Sequence, residues 1–471
     1  MDDAQTVPQH LHIVGVCGTA MAAIALLARD RGWRVTGSDA AVYPPMSEVL
    51  ATAGIVVQPF AVANLEPAPD LCLVGNAISR GNVEIEAILQ QGLPYSSGAA
   101  FVGDYILPQR HAVVVAATHG KTSTSSMLAH VLQQAGLEPG FMIGGVPEDF
   151  GSGARLGGKH APFVLEGDEY DTALFDKRSK FLHYHARTLI LNNLEYDHAD
   201  IFPDLEAIKT QFSHLLRTVP SNGCIVLNAD DEHLADVVQR GCWTPCVAYA
   251  ERGSTHAARW QWRADCADGS AFTLWLDDAV ACRIHWRMIG VHQVANACAV
   301  TAAAHSMGVA VDVIADALSS FSGVRRRMTL VKTVAGVRIF DDFAHHPTAI
   351  RGVVTAAKAA MTTGGRLWVV LEPRSNTMRS RIHQQRLVDC FDAADRVLCL
   401  APAARGQTAD QLLDTVQLCA AIGANKAQAV ADHDALIAHM QGDIRSGDDI
   451  LILSNGGVEA LHQRLFTLLS M

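Results

Sequence analysis

The sequence predicts an α/β protein of three domains, and three observations predict it. Its 471 residues amount to about three domains at ~150 residues each. Short apolar runs alternate with helical patterns along the chain, which is the rhythm of mostly parallel sheets covered by helices on both faces. Nearly every apolar run ends in polar or glycine-rich residues, and open α/β sheets collect their ligands at the carboxyl ends of their strands. Proline marks one boundary at Ile106-Leu-Pro108-Gln-Arg110 and a cationic turn marks a second near 328, so the expected domains are 1–108, 109–327 and 328–471.

The first block opens with the apolar run His10-Leu-His-Ile-Val, then the turn Gly15-Val-Cys17-Gly18-Thr19-Ala-Met21 and a helix that stops at Gly32. A second strand, Trp33–Ser38, is followed by Asp39, about where a dinucleotide-binding fold of the Rossmann type keeps its ribose ligand. The turn departs from G-x-G-x-x-G, because Cys17 and Ala20 fill the second and third glycine places. That disfavours a nicotinamide cofactor and leaves a nucleotide diphosphate, or a plain strand-to-helix turn, open.

The central block carries the strongest chemistry. His111-Ala-Val-Val-Val-Ala-Ala runs into Thr118-His119-Gly120-Lys121-Thr122-Ser123, and a helical pattern follows at once. Strand, tight turn and helix N-terminus in that order make an anion site, since free backbone N–H groups and the helix dipole face the turn. Lys121 supplies a point charge for phosphates and Thr122 a hydroxyl for Mg²⁺. The full G-x-x-x-x-G-K-[ST] pattern fails at its first position, which is Val115. Further on, Phe163-Val-Leu-Glu166-Gly-Asp168-Glu169-Tyr-Asp171 brings four carboxylates to a strand end. They suit Mg²⁺, a hard ion wanting oxygen ligands, or form a solvated loop. Asn192-Asn193-Leu-Glu195-Tyr-Asp197-His198 ends another strand, where His198 either ligates a metal or caps a turn. Residues 255–289 alternate apolar and polar with four tryptophans, the pattern of antiparallel hairpins. A helix over Ala297–Met307 follows, and Arg325-Arg326-Arg327 either serves phosphate or is simply solvated. The last block repeats strand and helix through Val337–Asp342, Leu367–Leu371, Arg396–Leu400 and Asp449–Leu453.

Composition excludes several classes. The chain is 49% hydrophobic and 18% charged, with a formal net charge of -11 and no block of Lys or Arg, so a nucleic-acid partner is not expected. No apolar run reaches the length of a membrane span, and the acidic stretch 1–8 lacks the apolar core of a signal peptide. Eleven scattered cysteines give neither a disulfide framework nor a paired zinc motif, which fits a reducing cytoplasm.

Taken together, Thr-His-Gly-Lys-Thr-Ser-Thr, Glu-Gly-Asp-Glu-Tyr-Asp, Asn-Leu-Glu-Tyr-Asp-His, Gly-Val-His-x-x-x-Asn, Arg-Arg-Met and Asp-Asp-Phe-Ala-His-His-Pro occur in that order. The set resembles the Mur ligase family of ATP-dependent amide-forming enzymes across essentially the whole chain, and is nearest the branches that charge UDP-N-acetylmuramic acid. Phe175-Asp-Lys-Arg-Ser-Lys180, Glu372-Pro-Arg-Ser-Asn-Thr377 and Ser454-Asn-Gly-Gly457 look like the branch that attaches a recycled murein tripeptide. They look less like the branch that adds free L-alanine.

The resemblance implies an N-terminal Rossmann-like UDP-sugar domain, a central P-loop ATPase domain with a mostly parallel sheet, and a C-terminal Rossmann-like domain for the incoming peptide. It implies ATP and Mg²⁺, with UDP-N-acetylmuramate and L-alanyl-γ-D-glutamyl-meso-diaminopimelate as substrates, in a cytoplasmic monomer or weak homodimer. By motif, Thr122 and Glu166 hold a first Mg²⁺, and Glu166 and His198 a second. Thr118 to Ser123 hold the nucleotide phosphates, Asn296 the adenine with His292 close by, Arg327 a phosphate and Asp342 the ribose. Lys121, Glu166, His198 and Arg327 form the catalytic set. Gly15, Cys17, Gly18, Thr19, Met21, Ser38 and Asp39 cradle the UDP moiety, and Arg374, Asn376 and Asn455 meet the peptide. Two departures stand out. Ala117 replaces the family's glycine before Thr118, and Lys209 has the wrong spacing for the carbamylated lysine of some relatives. The competing expectations are an L-alanine-adding ligase, and a P-loop ATPase acting as a switch in which Glu166 and His198 are incidental.

Overall fold

The computed structural model describes residues 10–42, 46–361, 364–404 and 406–470; the acidic stretch 1–8 lies outside them. The chain divides into two compact units, Met1–Leu194 with Glu206–Ala248 and Ala299–Ile314, and Glu195–Leu205 with Tyr249–Cys298 and Ala315–Met471.

The first unit contains two sheets. β1 (His10–Val14), β2 (Arg34–Ser38), β3 (Val57–Gln58), β4 (Leu71–Val74) and β5 (Tyr95–Ser97) are all parallel, in the order β3-β2-β1-β4-β5. The order reverses between β1 and β4, and a crevice opens beyond the carboxyl ends of strands at such a switch point. The turn 15–18 leaves β1 there, and Gly75 leaves β4 with Val14 O only 3.1 Å from where a Cβ would stand.

The second sheet of this unit is built on β6 (Ala112–Ala116), β7 (Gly140–Met142), β8 (Ala154–Arg155) and β9 (Phe163–Gly167). The hairpin β10 (Asp171–Ala173) and β11 (Asp176–Ser179) intervenes, and β12 (Thr188–Leu191) and β13 (Cys224–Asn228) complete it. The order is β13-β12-β6-β9-β7-β8, parallel except at β8. Ala112–Ala116 is buried at every position, which explains its unbroken apolar run: a central parallel strand has helices on both faces. One of those helices is Lys121–Gln134, buried from Thr122 to Leu132. The division between the units falls inside β14 (Cys246–Glu251).

In the second unit, β15 (Trp260–Ala264), β16 (Ala271–Leu276) and β17 (Ala279–His285) form the expected antiparallel hairpins. Asp277 and Asp278 both take positive φ, 48° and 67°, which suits the right-handed twist of a two-residue hairpin turn. Trp260, Trp262, Trp275 and Trp286 are all buried. A further sheet contains β18 (Thr329–Val334), β19 (Val337–Asp342), β20 (Leu367–Glu372), β21 (Arg396–Leu400), β22 (Ala427–Val430) and β23 (Asp449–Ser454). Their order is β18-β19-β23-β20-β21-β22, parallel except at β18. Alternate residues of β20 serve opposite cores, Leu367, Val369 and Leu371 on one face, Trp368 and Val370 on the other. That alternation is the period-two signature of a strand buried on both sides.

The helix expected from Ala297 begins six positions earlier, at Val291, and runs to Ser306. Gly290, at φ 111°, is where the chain turns into it, so Asn296 is a helical residue and not part of a polar entry. Among the described residues no helix is long and apolar enough to cross a membrane.

Candidate active site

The candidate phosphate loop is built as its sequence requires. β6 stops at Ala116, Gly120 takes φ 82° and the helix begins at Lys121. Only glycine adopts that left-handed turn at no cost. Ala117 is not among the residues with positive φ, which explains why alanine is tolerated there. Asn193 fixes the turn from the end of β12. Its carbonyl accepts from Thr118 N at 3.2 Å, its side-chain oxygen accepts from His119 N at 3.0 Å, and its amide donates to His119 O at 2.9 Å. Asn192 donates to the Thr124 hydroxyl at 2.8 Å, which itself donates to Gly120 O at 2.9 Å. Ser123 is buried.

Lys121 points back across the loop. Its Nζ donates to Ala117 O at 2.8 Å and to Glu169 Oε2 at 2.7 Å, with Asp168 Oδ1 at 3.9 Å. Burial works against the charge, but the carboxylates of Glu169, Asp168 and Glu166 outweigh it and raise the ammonium's pKa. Lys121 is therefore a fixed cation at neutral pH. The Thr122 hydroxyl donates to Glu166 Oε2 at 3.3 Å, and Glu166 Oε1 accepts from Gly144 N at 2.8 Å. A Cβ on Gly144 would lie 3.3 Å from Glu166 Oε2, so that glycine leaves the carboxylate its room.

The crevice of the first sheet has a different character. Gly15, at φ 84°, and Val16 both donate to Ser38 O, at 2.8 and 3.1 Å. Asp39 Oδ2 accepts from Cys17 N at 2.8 Å and its Oδ1 from Ala41 N at 3.0 Å. Asp39 thus braces the turn, with burial and this carboxylate raising the Cys17 thiol pKa. Gly18 and Thr19 are exposed at the start of helix Thr19–Asp30. Two expected contacts face inward. The Ser38 hydroxyl donates to the buried Glu84, and the Met21 thioether lies 2.9 Å from where Gly98 would carry a Cβ.

In the second unit, His198 holds φ 53°, a conformation that costs a non-glycine residue and is retained where surroundings impose it. Its N–H donates to Asp197 Oδ1 at 2.7 Å, and its carbonyl accepts from Ile201 N and Phe202 N at 2.8 and 2.9 Å. Burial pushes the Asp197 carboxyl up, but the nearby charges of His198, His345 and His346 bring it below its ordinary value. Asp342 is buried, and its two oxygens accept from Met328 N and Ala344 N at 2.7 Å each. It therefore fixes the strained turn in which Arg326 and Met328 take φ 61° and 49°. Arg327 lies over the Phe343 ring at 5.2 Å. Asn296 donates to Gln293 Oε1 at 3.2 Å, while His292 packs on Gly290 and Gly352.

Of the three residues expected to meet a peptide, Arg374 is held by Glu372 at 2.7 Å. Asn376 donates to Asp200 Oδ2 at 2.9 Å and accepts from Arg379 at 2.7 Å. Asn455 keeps a buried side-chain oxygen with no hydrogen-bond partner among the described residues. Sequence reading missed Glu372, which also accepts from Ser454 at 2.7 Å and contacts His433 at 3.1 Å. It missed Gly144 and Asn193 as well; Glu372 and Asn193, both at polar strand ends, left a signal, and Gly144 left none. Lys209 pairs with Glu206 and Asp236, at 3.2 and 3.0 Å, as a structural cation.

A phosphate loop followed by an acidic strand end defines a nucleotide-dependent enzyme, and family comparison agrees. Residues 10–110 match the Mur ligase family catalytic domain, 115–304 the Mur ligase middle domain, and 326–456 the Mur ligase glutamate ligase domain. The chain belongs to the Mur ligase family of ATP-dependent ligases. It is 44% identical to the UDP-N-acetylmuramate–L-alanyl-γ-D-glutamyl-meso-2,6-diaminoheptandioate ligase of Escherichia coli, over 97% of both chains. The Haemophilus influenzae protein of the same name is 40% identical, over 98% of this chain and all of that one. Among solved structures, the murein peptide ligase of Psychrobacter arcticus is similar at 42% identity and a TM-score of 0.74, covering 98% of this chain and 99% of that one.

Proposed function

We propose that this chain joins L-alanyl-γ-D-glutamyl-meso-diaminopimelate to UDP-N-acetylmuramate at the expense of ATP, in the recycling of cell-wall peptide. The observation that carries the mechanism is Lys121 held as a buried cation beside the Thr122–Glu166 pair, at the N-terminus of a helix. A lactyl carboxylate oxygen attacks the γ-phosphorus of ATP, ADP leaves, and an acyl phosphate forms. The amine of the tripeptide then attacks the acyl carbon, loses a proton, and expels phosphate. Two anions must approach in the first step, so a fixed ammonium at a helix N-terminus acts where charge accumulates.

The Thr122 hydroxyl and the Glu166 carboxylate are hard oxygen donors already in contact, and they fit Mg²⁺. His198 is our candidate for a second ion together with Glu166. Mg²⁺ so held supplies positive charge to the phosphoryl oxygens. In this reading the turn Gly15–Met21 with Ser38 and Asp39 takes the UDP moiety, with the helix N-terminus at Thr19 turned to its phosphates. Thr118 to Ser123 take the nucleotide phosphates, with Asn296, Arg327 and Asp342 on the nucleoside and phosphate side. Arg374, Asn376 and Asn455 face the peptide, and the domains are 1–108, 109–327 and 328–471. The enzyme works in the cytoplasm as a monomer or weak homodimer.

The test is ADP release with UDP-N-acetylmuramate and a panel of amine acceptors. Turnover with the tripeptide well above that with free L-alanine is expected. A preference for free L-alanine would overturn the choice of substrate, and ATP hydrolysis indifferent to the UDP-sugar would point to the switch reading instead.

A further inference from the structure

The acidic strand end and the hairpin that follows it are joined residue by residue. Phe181 N donates to Asp168 O at 3.3 Å, Lys180 N donates to Tyr170 O at 3.2 Å, and the Ser179 hydroxyl donates to Glu169 O. The segment 179–181 is therefore fixed against 168–170 through its backbone, and the Lys180 side chain starts from an anchored point. Its ammonium lies 3.4 Å from Asp168 Oδ2 and 4.1 Å above the centre of the Tyr170 ring. The same Oδ2 accepts from the Tyr170 hydroxyl at 2.8 Å. Asp168 Oδ1 is the oxygen 3.9 Å from Lys121. One carboxylate thus stands between two lysines, both largely shielded from solvent, with side-chain exposures of 12% and 13%.

Charge decides what this arrangement does. Glu166, Asp168 and Glu169 place three carboxylates around one phosphate-binding lysine, and ATP brings further negative charge to it. A carboxylate that closed on Lys121 as Glu169 does, at 2.7 Å, would compete directly with the phosphates. At 3.9 Å Asp168 stops short of a hydrogen bond, while its other oxygen is engaged by Lys180 and Tyr170. We propose that Lys180 is a positioning residue for nucleotide binding: by holding Asp168 Oδ2 it keeps that carboxylate off Lys121, so that no second carboxylate joins Glu169 in competing with phosphate for the loop lysine.

This rests on the ligase reading only for ATP at Lys121, so the primary readout is nucleotide affinity. The full-length protein is titrated with ATP by displacement of a fluorescent ATP analogue. Lys180→Met, Lys180→Arg, Asp168→Asn and the double variant Asp168→Asn/Lys180→Met are compared, with UDP-N-acetylmuramate affinity measured alongside. Lys180→Met should weaken ATP about tenfold, which is about 1.4 kcal/mol, and leave the UDP-sugar unchanged. Lys180→Arg should recover most of the loss. The double variant should return to within about threefold of wild type, because the competing carboxylate has gone.

A Lys180→Met affinity equal to wild type, or a double variant as weak as Lys180→Met, would overturn the proposal. So would a loss of UDP-sugar affinity of equal size. Should Lys180→Met not fold, Asp168→Asn carries the test: it must bind ATP at least as tightly as wild type, and weaker binding refutes the idea. A wild-type chain that binds ATP yet ligates no acceptor sinks the substrate reading and leaves this test intact. One that binds no ATP sinks both.

Discussion

Replacing Lys121 with methionine separates what the phosphate loop does for the fold from what it does for the reaction. The Lys121 ammonium meets Glu169 at 2.7 Å, with side-chain exposures of 12% and 2%. Removing one partner of such a pair leaves a buried charge uncompensated, a loss of about 3–5 kcal/mol in other proteins. The second effect is chemical: loss of one fixed donor to a charge-accumulating transition state lowers kcat by about 10²–10³. Lys121→Met should therefore lose both stability and ligation. Adding Glu169→Gln neutralises the stranded carboxylate, so the double variant should regain most of the lost thermal stability with no recovery of kcat. The assays are thermal denaturation, UDP-N-acetylmuramate binding and coupled ADP release on the same preparations. UDP-sugar binding should persist throughout, because the turn at 15–21 lies on a different sheet. Recovery of ligation in the double variant, or a Lys121→Met kcat within tenfold of wild type, would refute the reasoning.

Other expectations follow from individual contacts. Thr122→Val removes the hydroxyl 3.3 Å from Glu166 and should raise the Mg²⁺ concentration needed for half-maximal ligation severalfold; an unchanged Mg²⁺ titration would contradict the assignment. Gly144→Ala brings a methyl group to about 3.3 Å from Glu166 Oε2, so ligation should fall severalfold while UDP-sugar affinity holds, and equal activity would show that Glu166 has room to move. His346 makes the fold acid-sensitive: burial pushes its pKa down to about 4, against about 6.5 in an unfolded chain. The unfolded state therefore binds the extra proton between those values. This contribution, on the order of 3 kcal/mol, is complete above pH 6.5 and is lost as pH falls towards 4. Tm should drop from pH 7 to pH 5, and drop less in His346→Gln; identical slopes would exclude His346 as the source.

Much of this was legible in the sequence because it is local. The run Ala112–Ala116 and the Gly120 turn specify a buried strand and a left-handed exit from five or six neighbouring residues. The tryptophan alternation specifies the hairpins of β15 to β17 for the same reason. What the sequence left obscure depends on distant segments meeting. Nothing in the glycine-rich stretch after β7 marks Gly144 as the residue that gives Glu166 its room. The acidic run 166–171 does not say which carboxylate takes Lys121, and the structure gives that part to Glu169. Ser38 and Asp342 matched their motifs by position, yet their polar atoms are drawn to Glu84 and to the peptide N–H groups of Met328 and Ala344. Motif spacing records which residue is present; the direction of its side chain is decided by whatever else is buried beside it.

The most direct measurement follows one oxygen atom. UDP-N-acetylmuramate labelled with ¹⁸O in its lactyl carboxylate is turned over with ATP and the tripeptide, and the inorganic phosphate is analysed by mass. Activation through an acyl phosphate predicts that one carboxylate oxygen leaves in that phosphate. Phosphate released without the label would contradict the account.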